Sequence, residues 1–222
     1  MIMKQFQKDY WERKSLEHRR HPSHKVIKEY VLPKINEIRK TIPIHDDTTL
    51  LDVGGGNGFF SYYFDKICDT TCIDYSEKMI KLNPIKKKFV MDANTLRFND
   101  NSFDIVFCHA LLHHVEDIGD IIMEMKRVSK GLIIILEPNR NNPLMFLFSL
   151  ITKEERKAMK FSLSYLNWQI KSCGLKIVSS FSYGLIVPNK TPKALLPFFK
   201  LFNFKFPFGM TNIIICEKLT KQ

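Results

Sequence analysis

The feature that most limits the fold is a short apolar run, residues 50–53, that breaks into Gly54-Gly55-Gly56-Asn57-Gly58 and resumes at Phe59. Glycines at such a break remove the Cβ atoms that hold a ligand off the backbone, and they permit positive φ in a tight turn. With 50–53 as a strand and 59–67 as a helix, the turn also presents the unpaired N–H groups of a helix start. Strand, glycine turn and helix make the opening unit of an α/β sheet, whose ligands sit at the carboxyl ends of the strands. By itself this unit is shared by many α/β proteins.

The rest of the chain extends the pattern. Further strands are expected at 70–73, 88–91, 103–108 and 132–136, with helices at 76–82 and 118–129. Strands that are apolar throughout and alternate with helices point to a parallel sheet covered on both faces. Upstream, Val26, Ile27, Tyr30, Val31, Ile35 and Ile38 recur at spacings of 3 to 4, one face of a helix that Pro33 is expected to break or kink. Downstream come an apolar segment at 144–151, a mostly helical stretch at 154–173 stopped by Gly174, and two more strands at 175–183 and 212–218. Phe202, Phe204, Phe206 and Phe208 alternate with other residues, which predicts a strand with one buried face inside a lid-like insertion at 184–210.

Composition narrows the class. With 45% hydrophobic and 26% charged residues, 222 residues are ordinary for one globular domain with additions, not for a disordered chain. The net charge of +11 is uneven: residues 1–45 carry +6, 46–149 carry −4 and 150–222 carry +9. Basic flanks around an acidic middle suggest an anionic partner without naming it. The five cysteines form no C-x-x-C pair and no metal-ligand spacing, so no metal is expected and a reducing, cytoplasmic setting is. The N-terminus lacks the apolar stretch of a secretory signal, and no run approaches the roughly 20 apolar residues that span a bilayer.

Within the acidic middle, three carboxylates close three consecutive strands. Asp52 stands just before the glycines, where it would repel a pyrophosphate and suit a cation such as an amino-acid ammonium. Asp74 lies 22 residues on, a spacing at which a carboxylate can accept bonds from both hydroxyls of a ribose. Read alone, Asp74 has a lesser competing reading as an acid at the N-terminus of the next helix, and Asp92 is as often a turn residue as a ligand. The glycine spacing, with Phe59 where a dinucleotide fingerprint has its third glycine, disfavours a nicotinamide cofactor.

These pieces together resemble the class I S-adenosylmethionine-dependent methyltransferases, most closely the small-molecule, quinone-biosynthesis-like branch. The resemblance is carried by LLDVGGGNG (50–58), CIDYSEKMI (72–80), MDANTLRFNDNSFDIVFCHALLHHV (91–115) and IIMEMKRVSKGLIIILEPN (121–139). It implies a Rossmann-like, doubly wound α/β fold with seven strands in the order 3-2-1-4-5-7-6, strand 7 antiparallel, and helices on both faces. It implies S-adenosyl-L-methionine as cofactor. Asp52, Gly54, Gly55, Gly56 and Gly58 would then cradle the methionine end, and Asp74 would hold the ribose. Tyr75, Asp92 and Ala93 would frame the adenine, and the backbone at His109 would pass near the sulfonium. Ser129-Lys130-Gly131 stands where the family usually has a Pro-Gly turn.

Residues 1–45 are read as a helical cap, 46–139 as the cofactor half and 140–222 as the acceptor half of one methyltransferase domain. Transfer from a sulfonium needs alignment above all, and a base only for a protonated acceptor. His109 and His113 are the candidates for that base, with His114 and the more remote His45 behind them; packing or capping is the competing role for each. Tyr10-Trp11-Glu12-Arg13 and His18-Arg19-Arg20-His21 could close over the cofactor. The expected acceptor is a small molecule, anionic or lipophilic, and the phenylalanine stretch leaves peripheral membrane contact open. An RNA methyltransferase and a non-catalytic cofactor-binding partner subunit are the alternatives. DNA-type amine methylation is disfavoured, since Cys108-His109-Ala110-Leu111 lacks an Asn/Asp-Pro-Pro element.

Overall fold

The strands are β1 (Thr49–Val53), β2 (Asp69–Asp74), β3 (Lys88–Val90), β4 (Phe103–His109), β5 (Ser129–Pro138), β6 (Leu175–Tyr183) and β7 (Thr211–Lys218). In the computed structural model, which describes residues 19–219, they form one sheet in the order β3-β2-β1-β4-β5-β7-β6. β1 through β5 pair in parallel, while β7 runs antiparallel to both β5 and β6. This is the Rossmann-like arrangement implied by the resemblance. Its central strands are apolar because both faces are covered. Along β4, Ile105 and Phe107 face one layer and Val106 and Cys108 the other; β5 divides likewise into Ile134 and Leu136 against Ile133 and Ile135.

One layer is built by α1 (Lys25–Arg39) and α2 (Ser61–Phe64), the other by α4 (Ile118–Val128) and α6 (Leu163–Ser172); α3 (Glu77–Leu82) follows β2. Val26, Ile27, Val31 and Ile38 of α1 are fully buried in the cluster that holds Phe60 and Phe107, so this helix is part of the domain core. Caps match the sequence: Ser76 accepts from Met79 N–H, Asp117 from Gly119 N–H and Ser162 from Tyr165 N–H. Residues 1–18, and with them the stretch from Tyr10 to His18, lie outside the described residues.

Four local expectations are corrected. Pro33 does not break α1, which runs through it: the Glu29 carbonyl that a proline leaves without its helical donor receives Asn203 Nδ2 at 3.5 Å. Ser129-Lys130-Gly131 is the start of β5 and not a free turn, with Ser129 Oγ accepting Gly131 N–H and donating to the Leu132 carbonyl. The alternating phenylalanines form no strand. Residues 193–195 and α7 (Leu196–Lys200) are helical, and a single bridge joins Tyr183 to Lys205. Turns at 203–209 hold the segment to the end of the edge strand β6, where Phe206 N–H donates to the Ser182 carbonyl and Gly184 N–H to the Phe204 carbonyl, and Phe204 and Phe208 stay exposed. The helical stretch after 154 is likewise divided, into a 3₁₀ segment (Lys153–Lys160) and α6.

Candidate active site

The carboxyl ends of β1, β2, β4 and β5 open on one cavity of about 530 Å³. On its first side lies the glycine turn. Gly56 has φ +54° and Gly58 φ +89°, and a Cβ on Gly58 would come within 2.5 Å of Asn83 Oδ1. The turn therefore needs glycine at both. Asp74 holds it from β2, its Oδ2 accepting Gly56 N–H at 2.9 Å and its Oδ1 accepting Ser76 N–H at 2.8 Å.

Asp52 is fully buried at the end of β1. Ser61 Oγ donates to its Oδ2 at 2.5 Å, while Oδ1 has no hydrogen-bond partner among the described residues. Burial raises its pKa to about 7, helped by the charge of Asp74 and opposed by the Ser61 bond. A buried carboxylate oxygen left this way is costly unless a cation or donor reaches it. Tyr75, Asp92 and Ala93 continue the wall, with Asp92 Oδ1 accepting both nitrogens of Asn94.

The second side is organised by Glu137, which the sequence did not single out. Its carboxylate is wholly buried; Oε1 accepts the N–H groups of Leu111 and Leu112 at 2.9 and 2.7 Å, and Oε2 meets His113 Nδ1 at 2.6 Å. That brace holds the chain just after Ala110, whose φ of +52° is unusual for a residue with a Cβ. His113 Nε2 meets Glu155 Oε2 at 3.1 Å. Burial alone would push the ring toward neutrality, but the charges and bonds of Glu137 and Glu155 prevail and raise its pKa to about 10. The ring is an imidazolium bridging two carboxylates. Among the described residues, the donor atoms of His113, His114 and Glu155 all lie within 4.8 Å of one another, but a metal ion there would have to displace the ring proton that His113 shares with Glu155. Spacing could not announce this cluster, because Glu155 lies 42 residues from His113.

His109 has the opposite character. It closes β4 in an aromatic setting, its ring 4.7 Å from that of Phe60, and burial, with the charges of Lys34 and His113, lowers its pKa to about 3. Tyr30 of α1 brings its hydroxyl to 2.7 Å from His109 Nε2 and 3.4 Å from Thr211 Oγ1. Beneath it, Lys34 is buried, donating to the Tyr30 carbonyl at 3.0 Å with its ammonium 3.5 Å from the Tyr30 ring centre. Burial lowers the Lys34 pKa strongly.

Two arginines from the N-terminal flank reach the mouth. Arg19 Nη1 donates to Asn57 Oδ1 in the glycine turn at 3.0 Å. Arg20 ties the same flank to the insertion, donating to the carbonyls of Pro188 and Thr191 at 2.7 and 2.9 Å. Met145, Phe148, Val187 and Met210 supply apolar lining.

The structure thus brings together around one cavity Asp52, Gly54, Gly55, Gly56, Asp74, Tyr75, Asp92, Ala93, His109 and His113. Gly58 shapes the turn from behind, and His45 lies apart, by Asp46 and Asp47. Tyr30, Lys34 and Glu137 were missed because they read as core positions or strand-end polarity. The only signal was a lysine on the apolar face of α1, three residues after Val31.

Comparison with known proteins agrees with this geometry. Residues 51–135 match the family model described as a methyltransferase domain. The chain is 31% identical over 161 residues to an uncharacterized protein of Methanocaldococcus jannaschii, covering 69% of this chain and 66% of the relative. It is 32% identical over 116 residues to the demethylmenaquinone methyltransferase of Staphylococcus aureus, covering 46% of this chain and 48% of that protein. The chain thus spans about two thirds and about half of these relatives. Among solved structures, a SAM-dependent methyltransferase of Aquifex aeolicus superposes with a TM-score of 0.62 at 16% identity, covering 88% of this chain and 94% of that one. Another from Methanosarcina mazei gives 0.60 at 22% identity, covering 83% and 98%.

Proposed function

Because the chain belongs to the class I S-adenosylmethionine-dependent methyltransferases, we propose that it transfers a methyl group from S-adenosyl-L-methionine to a lipophilic small-molecule acceptor. The observation that carries this reading is the continuity of the cavity, which joins strand-end carboxylates on one side to Met145, Phe148, Val187 and Met210 on the other. The residues present fit the cofactor: the open Oδ1 of buried Asp52 suits an ammonium, and glycine backbone lies beside it. The likeness of one stretch to a demethylmenaquinone methyltransferase supports a quinone-like acceptor.

Bound there, the cofactor supplies an activated methyl carbon on a sulfonium. Asp52 would balance the ammonium of its methionine end, and the turn at Gly54, Gly55 and Gly56, without Cβ atoms, would let that end lie close to the backbone. Asp74 would accept from the ribose while keeping the turn closed through Gly56. Tyr75, Asp92 and Ala93 would border the adenine. Arg19, placed over Asn57, and the insertion loop held by Arg20 would keep water out.

The two histidines position rather than exchange protons. His109 stays neutral down to about pH 3 and His113 stays protonated up to about pH 10, so neither titrates near neutrality, as an efficient general base would. Tyr30 and His109 would instead orient the acceptor by hydrogen bonds. The matching acceptor is one already ionised, such as the phenolate of a reduced quinone, whose ring carbon takes the methyl group and then passes its proton to the phenolate oxygen as the ring rearomatises. An RNA acceptor is less well supported, because Met145, Phe148, Val187 and Met210 give the far end of the cavity an apolar lining and Glu137 and Glu155 add negative charge.

Calorimetric titration with S-adenosylmethionine, S-adenosylhomocysteine and NAD tests the first half of this reading; binding of NAD alone would sink it. Incubation with the cofactor and a demethylated quinol, followed by mass spectrometry, tests the second. Methylation of RNA but of no lipophilic acceptor would replace it.

A further inference from the structure

The helix that walls the cavity has an outer side left exposed among the described residues. α5 (Pro143–Ile151) reads PLMFLFSLI, without a charge, and among its residues only Met145 and Ser149 are buried. Leu144 is 63% exposed and Ile151 72%, with Leu147 and Leu150 above half. Its N-terminus is pinned to the phenylalanine-rich insertion: Asn142 Nδ2 donates to the Phe208 carbonyl at 2.7 Å and Asn139 Nδ2 to that of Pro207 at 2.9 Å. Phe208 is itself exposed, as are Phe204, Leu201 and Phe198 further along the insertion. Two apolar stretches are therefore joined, within residues 140–222, which carry a net charge of +10. Exposed Arg156 and Lys160 follow α5, and exposed Lys193 precedes α7.

We propose that this surface docks on an anionic lipid bilayer, with α5 lying in the headgroup boundary and the Phe198–Phe208 region beside it. At about 1.5 Å per residue, nine residues reach roughly 14 Å, too short to cross a bilayer and suited to lying along it. No helix among the described residues is long and apolar enough to span a membrane. Charge decides between a bilayer and a second copy of the chain. A two-fold contact through α5 would set two strongly basic halves rim to rim, whereas anionic headgroups complement them. Apolar contact and basic rim together are the two signals that stable surface binding requires. The position has a use. Met145 and Phe148 of this helix line the cavity, so a lipophilic acceptor could pass from the bilayer to the site along one helix. That use rests on the acceptor reading above; the surface itself does not.

The test is sedimentation of the full chain with vesicles of phosphatidylcholine, with and without phosphatidylglycerol. The expected result is binding that is strongest with phosphatidylglycerol and weakens with added salt. Leu147→Asp and Ile151→Asp, which do not line the cavity, should each weaken it about tenfold or more, with the unfolding midpoint and cofactor titration unchanged. No binding to either vesicle, or binding that both variants retain, would overturn the proposal. So would a concentration-dependent dimer abolished by either variant, which would assign the face to a second copy. Cofactor calorimetry is measured without lipid, so failure of the surface and failure of the methyltransferase reading are told apart.

Discussion

The Tyr30 hydroxyl stands 2.7 Å from His109 Nε2, tying α1 to the end of β4 across 79 residues of sequence. Because His109 is held neutral, its Nε2 can accept the phenolic proton, and the pair forms a fixed polar point in an otherwise aromatic wall. Tyr30→Phe leaves that nitrogen buried without its donor and should destabilise the fold by about 1–3 kcal/mol in urea titration. Cofactor affinity should be unchanged, and kcat should fall if the pair orients the acceptor. An equal loss of cofactor affinity would show that Tyr30 acts on the cofactor side.

Asp52 makes stability and binding depend on pH in opposite directions. Its pKa is raised in the folded state from 3.8 to about 7, so the folded chain holds a proton that the unfolded chain releases between those values. The stability this proton contributes is complete below pH 3.8 and is lost as pH rises through about 7. A cationic ligand favours the ionised carboxylate, so S-adenosylmethionine should bind more tightly at pH 8 than at pH 6. Asp52→Asn should flatten both dependences. A calorimetric affinity that is level with pH in the parent chain would remove Asp52 from the ammonium site.

Asp74 carries two duties that one substitution can separate. Asp74→Asn keeps the shape and one acceptor oxygen but removes the charge, and should weaken cofactor binding by about 1–3 kcal/mol. Asp74→Ala should do the same and also loosen the turn at Gly56, lowering the unfolding midpoint further. Unchanged affinity in Asp74→Asn would exclude a charge-assisted ribose contact.

Glu137 should matter to folding more than any other site-lining carboxylate. It compensates the buried charge on His113 and accepts two backbone N–H groups beside the left-handed Ala110. Removing one member of a buried ion pair costs about 3–5 kcal/mol, and Glu137→Gln should fall in that range by denaturant unfolding. A loss below 1 kcal/mol would mean that His113 is neutral in the folded chain.

The wholly buried Lys34 makes no ion pair among the described residues; its Nζ has the Tyr30 carbonyl and two tyrosine rings. Lys34→Met keeps the volume and removes the cost of desolvating an amine, so thermal unfolding should shift upward. A downward shift would assign Lys34 a structural role through its hydrogen bond.

The amino-acid sequence by itself determined the sheet, the glycine turn and the carboxylates Asp52, Asp74 and Asp92. These are local or periodic signals: apolar strands buried on both faces, glycines where φ is positive, and acids at strand ends that a parallel sheet must align at one edge. Only the tertiary structure decided the other wall of the cavity. Tyr30 meets His109, and Glu137 and Glu155 meet His113, across tens of residues, and no spacing along a chain specifies such contacts. Tertiary structure also set the two histidines apart. The same residue type is held neutral by burial in one place and charged by two carboxylates in the other, because ionisation answers to the surroundings that folding assembles. The alternating phenylalanines failed as a strand for a local reason: turns at 203–209 interrupt the run, so it meets the open edge of β6 only near Tyr183 and never extends along it.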